Sequence, residues 1–132
     1  MADHAALEVL AASKYIRLTT FRRDGTPVPT PVWLVRDGDH LWVTTTAATG
    51  KIKRLRHTPR VLIAPSDMRG RVAAGALEVE GVAEIRSEPA DVARLARLLK
   101  ARYGLVFSLM TFVERRRRVA EKPVGVALRI SV

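Results

Sequence analysis

The chain has 132 residues, 48% of them hydrophobic and 27% charged, with only 7 prolines and 8 glycines. That composition suits a single folded domain over 1–132 and excludes a disordered, collagen-like or low-complexity chain. It has no cysteine, which removes disulfides, thiolate metal sites and a cysteine nucleophile, and its formal charge is +10.

Residues 5–12 read as a short helix with Leu7 and Leu10 on one face. A strand follows over 15–22, its alternation placing Ile16, Leu18 and Thr20 together, and Asp24-Gly25 signals a hairpin. The return strand, about 28–35, contains Pro29 and Pro31. Proline donates nothing to a ladder, so this strand is expected at an edge. A turn at 37–39 leads to a third strand over 41–46, so that three strands on two turns read as a meander. Thr49 is a candidate cap and Thr58-Pro59 a stop for a two-turn helix with Ile52 and Leu55 inward. Strands are expected over 60–65 and 76–86, with a polar loop at 67–71 between them. Ser87-Glu88-Pro89 opens a helix to about Tyr103, with Val92, Leu95, Leu98 and Leu99 inward and Gly104 ending it. A further helix over about 106–120 and a last strand over 124–132 complete the chain. The pattern predicts a mainly β, α+β architecture: six antiparallel strands in a small barrel with short helices. No Gly-rich strand-to-helix turn supports a Rossmann unit.

The charge is uneven along the chain. Residues 1–50 balance, whereas 51–71 carry 7 basic and 1 acidic side chains and 86–122 carry 10 basic and 4 acidic. Such segments attract anions of several kinds. Lys51 is the most informative residue among them, because a cation in the first turn of a helix opposes the macrodipole. A bound anion offsets that cost, and free backbone N–H groups point to the same place. With the hydroxyls of Thr44, Thr45 and Thr46 just before it, this segment reads either as a phosphate cradle or as a solvated basic face. Trp33, after Pro31 and Val32, either walls a ligand pocket or packs in the core, and core packing is the simpler reading. The run Arg115-Arg116-Arg117-Arg118 invites a nucleic-acid reading, but it falls late in a helix, where cations suit the dipole. No aromatic platform or helix-turn-helix pattern accompanies it, so a solvated helix end is the better reading. An arginine reaching across a dimer interface to an acidic ligand is a third.

His4, His40 and His57 show no ligand spacing, so no metal site is expected. No signal-peptide pattern and no bilayer-spanning apolar run is evident, and a soluble cytoplasmic protein is expected. No catalytic side chain can be nominated. Chemistry, if there is any, falls to a bound cofactor. The apolar stretch 105–112 suits a dimer contact more than a solvent-facing helix.

The segments Lys14–Trp33, Thr49–Val61 and Asp67–Arg71, with Arg102-Tyr103-Gly104, resemble the actinobacterial deazaflavin-dependent oxidoreductases related to pyridoxamine-5′-phosphate oxidase. That resemblance implies a split β-barrel homodimer with cofactor sites at its interface. It implies coenzyme F420 as cofactor, its ring along Pro31, Val32 and Trp33, and its phosphate and acidic tail at Thr44, Thr45, Gly50, Lys51 and Arg54. The implied activity is hydride transfer from the reduced cofactor to an electron-poor small organic substrate. The alternatives are an FMN-binding flavoprotein of the same fold or a non-catalytic F420 carrier. In the flavin-binding oxidases an Arg-Lys pair opens the equivalent helix; here Gly50-Lys51 stands there. The C-terminal signature of vitamin-B6 oxidation is absent from Ala127–Val132.

Overall fold

A computed structural model describes residues 3–46, 49–104 and 125–132. The expected helix over 106–120, the apolar stretch 105–112 and the arginines at 115–118 lie outside the described residues. The elements are α1 (His4–Ala12), β1 (Tyr15–Phe21), β2 (Pro27–Val32), β3 (Val35–Asp37), β4 (His40–Thr46), α2 (Gly50–His57), β5 (Arg60–Ser66), β6 (Val79–Arg86), α3 (Pro89–Tyr103) and β7 (Gly125–Ser131). The seven strands form one sheet in the order β2-β1-β5-β6-β7-β4-β3, with antiparallel pairing throughout.

Seven strands replace the six expected from the sequence, because the stretch read as one strand over 28–35 is two. β2 pairs with β1 from Phe21–Pro27 to Ile16–Val32 at one edge of the sheet. β3 pairs with β4 at the opposite edge, from Val35–Trp42 to Asp37–His40. Only Trp33 and Leu34 separate them, and three Cα steps span at most about 11 Å. The two edges of the sheet must therefore meet at this corner, which curls the sheet into a split barrel. The expected meander is accordingly two hairpins at opposite edges. Pro29 and Pro31 lie on an edge strand, where a missing N–H costs no ladder bond.

The corner is fastened by Tyr103 at the end of α3. Its hydroxyl accepts from the Leu34 N–H at 3.2 Å and lies within donating distance of the Leu34 and Lys14 carbonyls, at 2.9 and 2.8 Å. The Tyr103 ring stacks on Trp33 with centroids 4.7 Å apart and planes 11° apart. Together with Val35, Trp42, Leu95, Leu99 and Ala127 these rings form a small apolar cluster between α3 and the outside of the sheet.

The main core fills the concave side. Ile16 and Leu18 of β1, Val61 and Ile63 of β5, Leu128 and Ile130 of β7, and Leu41 and Val43 of β4 are all fully buried. α1 adds Leu7 and Leu10, and α2 adds Ile52 and Leu55. Each such side chain contributes about 1.5–3 kcal/mol when removed from water. The expected inward faces of both helices are therefore the buried ones. β6 starts at Val79, later than the expected 76, and leaves Leu77 and Val82 exposed. Glu88 is the N-cap of α3; Pro89 follows it and Asp91 lies in the first turn. Asp91 accepts a hydrogen bond from Arg86 at 3.0 Å.

Candidate functional site

α2 begins one short connection after the end of β4. Thr49 is its N-cap residue but makes no side-chain capping bond. Its hydroxyl instead lies 3.2 Å from that of Thr45. Thr44 is exposed and Thr45 half-buried, on a strand bonded along its length to β7 but to β3 only as far as Trp42. Among the described strands, the outer sides of β2 and β3, and β4 beyond Trp42, are thus the open edges of the barrel.

Gly50 and Lys51 are the first two residues of α2. The amphipathic pattern turns Ile52 and Leu55 into the core and leaves Lys51, Lys53, Arg54 and Arg56 outside it. Lys51 is half-buried. Burial, and secondarily the charge of Arg54, push its ammonium below the ordinary lysine value. Burial, then the charge of Arg22, likewise depress Arg54. Arg54 leans back along the helix, its Nε donating to Thr20 Oγ1 at 2.6 Å. Among the described residues, none of the four cations of α2 lies within 4 Å of a carboxylate. A partly dehydrated cation cluster with hydroxyls beside it, and no counter-charge among the described residues, fits an anionic group such as phosphate.

The structure thus gathers Thr45, Gly50, Lys51 and Arg54, whereas Thr44 alternates to the other face of β4, the face of Trp42. Pro31 and Val32 lie on the open edge strand β2, whose Val28 stands opposite Thr20. Three to four residues of strand separate that level from Pro31 and Val32, roughly 10–14 Å. The loop 67–71 reaches the same edge: a Cβ on Gly70 would stand 3.3 Å from the Pro31 ring. That loop is organised by Asp67, which accepts from the Arg69 and Arg71 N–H groups, both at 2.9 Å, and from Arg71 Nε at 2.7 Å. Trp33 is held against Tyr103 and α3 and is not gathered with the α2 group.

Thr20 escapes sequence reasoning as a site residue, although a signal for it exists. It is fully buried at an inward position of an apolar strand, and a buried hydroxyl there calls for a partner. The partner, Arg54, is 34 residues away in sequence.

Among the described residues no helix is long and apolar enough to cross a membrane, and no three His, Asp or Glu side chains are placed to hold a metal. No curated protein matches the chain. Several solved structures share its fold. Protein Rv2991 from Mycobacterium tuberculosis is 24% identical, with a TM-score of 0.67 covering 98% of this chain and 79% of that one. An F420 reductase is 25% identical, with a TM-score of 0.61 over 94% of this chain and 90% of its own. The heme storage protein HutZ from Vibrio cholerae has a TM-score of 0.67 over 99% of this chain and 90% of its own, at 14% identity. The profile of the pyridoxamine 5′-phosphate oxidase family matches residues 2–130. With nearly every residue inside that match, and a split barrel to go with it, the chain belongs to the pyridoxamine 5′-phosphate oxidase family.

Proposed function

We propose that this protein is a cytoplasmic oxidoreductase that uses reduced coenzyme F420 to transfer a hydride to an electron-poor small organic substrate. It does so as a homodimer with the cofactor sites at the subunit interface. The observation that carries the reading is the pair Lys51 and Arg54 at the start of α2, without a carboxylate within 4 Å among the described residues and beside the hydroxyls of Thr45 and Thr49. The likeness to an F420 reductase over 94% of the chain supports the choice of cofactor.

The residues divide the work by chemistry. Lys51 and Arg54 neutralise the phosphate and the adjoining acidic tail, and the first N–H groups of α2 donate to the same anion. Thr45 offers a hydroxyl donor beside them. Pro31 and Val32 provide a strand edge along which a planar ring is oriented. With Trp33 pinned by Tyr103, the end of that edge is held still. The deazaflavin, when bound, supplies the hydride. No side chain in the described site is placed as an obligatory acid or base, so solvent serves as the proton source.

Parallel titrations of the purified protein with F420 and with FMN test this reading. F420 is expected to bind more tightly and with the steeper salt dependence, because its acidic tail adds charge contacts. Equal affinities with equal salt slopes would favour an FMN-binding flavoprotein of the same fold. Steady-state turnover with an electron-poor acceptor separates an enzyme from a carrier. Light scattering of the full chain near 14.6 kDa would remove the homodimer.

A further inference from the structure

Gly50 and Arg54 are one helical turn apart, and the space a side chain at 50 would fill is taken. A Cβ built on Gly50 would stand 2.7 Å from Nη1 of Arg54. Side chains on a helix tilt toward its N-terminus, so a long residue at one position covers the residue four earlier. That alone does not explain the placement of Arg54. A guanidinium gains by lying toward the helix C-terminus and loses by lying toward the N-terminus. Here it also lies close to two further cations, Lys51 and Arg22. The counterweight is Thr20: its hydroxyl is fully buried in β1 and accepts from Arg54 Nε at 2.6 Å.

We propose that Arg54 is the second cation of the anion site, supplied from one turn into the helix, and that Thr20 and Gly50 are the positioning residues that hold it there. Thr20 fixes the guanidinium through Nε, which leaves the four N–H groups on its two Nη atoms for a ligand. Gly50 contributes by having no side chain, so the guanidinium lies flat over the first turn. A tethered arginine also has less rotamer freedom to lose when an anion arrives. The chain thereby keeps two cations at a helix start that has lysine but no arginine in its first turn. This inference rests on the proposed cofactor-phosphate reading, and its test separates the two.

F420 affinity and the melting temperature of the ligand-free protein are measured for Lys51→Ala, Gly50→Ala, Thr20→Val, Thr20→Ser and Arg54→Ala. Gly50→Ala and Thr20→Val should each weaken F420 binding roughly three- to tenfold. Thr20→Ser keeps the hydroxyl and should restore affinity to within about twofold. Gly50→Ala should leave the melting temperature unchanged or raise it, since alanine favours a helix over glycine; a purely structural role predicts no loss of binding there. Adding Gly50→Ala to Arg54→Ala should cost nothing further, because both act through one guanidinium. Should Thr20→Val fail to fold, Gly50→Ala and the double variant carry the test. If Lys51→Ala weakens binding while Gly50→Ala and Thr20→Val do not, the positioning role is overturned and the phosphate reading stands. If Lys51→Ala is silent as well, both fall together.

Discussion

Two basic surfaces of this protein have opposite fates. Around β6 nearly every arginine meets a carboxylate. Arg17 pairs with Glu78 at 2.9 Å, Arg60 with Glu80 at 2.6 Å, Arg86 with Glu84 at 2.9 Å and with Asp91 at 3.0 Å, and Arg129 with Glu84. On α2, four cations stand within six consecutive residues, and among the described residues none has a carboxylate within 4 Å. The first surface is self-neutralised by pairs within β6, to its neighbours β5 and β7, and to α3, with Arg17 of β1 reaching Glu78 just before β6. Its pairs are mostly well exposed, and exposed pairs of this kind contribute up to about 1 kcal/mol each. The second keeps its field unspent, with Lys51 and Arg54 partly desolvated. Charge matched within the fold serves the fold, and charge left unmatched is available to a ligand.

The largest expected effect that tests this contrast is on Lys51. A hydrogen bond to a charged group contributes about 1.5–3 kcal/mol, so Lys51→Ala should weaken F420 binding roughly ten- to a hundredfold in a titration. Lys53→Ala, on another side of the helix, should cost much less. Equal mildness of the two variants would return α2 to a plain solvated face.

Salt should move the two surfaces unequally. Between 0.1 and 1 M the screening length falls from about 10 Å to about 3 Å. F420 affinity should drop severalfold over that range, whereas the melting temperature of the ligand-free protein should change little, because the core is apolar. A fold that melts as steeply with salt as the ligand dissociates would erase the distinction.

pH should reveal the cost of Lys51 in the ligand-free protein. Its folded pKa lies below the ordinary 10.5, so between the two values the unfolded chain binds the proton more readily. Stability therefore rises with pH across that window, and the penalty is fully present below it. Lys51→Ala should raise the melting temperature at neutral pH, with the difference from the parent closing toward pH 10.5. A difference that is constant with pH would remove the desolvation argument.

The smallest effect belongs to the paired surface. Bonds from Arg86, then from Arg129, hold the Glu84 carboxyl below its ordinary 4.5. Its share of stability is present above that value and lost as pH falls through the folded pKa. Glu84→Gln should cost under about 1 kcal/mol at neutral pH by chemical denaturation, given how exposed the pairs are, and nothing in acid. It should leave F420 binding unchanged, and a loss of affinity there would mean that the two surfaces are coupled.

Local signals in the sequence were enough for most of the elements. The alternation at Ile16, Leu18 and Thr20, the spacing of Ile52 and Leu55 in α2, and the edge placement required by Pro29 and Pro31 all follow from the neighbours of each residue. The unusual position of Lys51 is equally local, because the macrodipole is a property of its own helix. What the tertiary structure alone decided is which distant groups meet. Trp33 and Leu34 read as part of one strand over 28–35, yet they are the crossing between opposite edges of the sheet, because barrel closure depends on strand order and not on local pattern. Glu78, Glu80 and Glu84 lie close together in sequence, and Arg17, Arg60 and Arg129 come to them from three other strands, joined by Arg86 of β6 itself. Thr20 reads as one more strand residue, and it acquires its meaning only when the fold sets Arg54 beside it, a long-range contact that no local periodicity encodes.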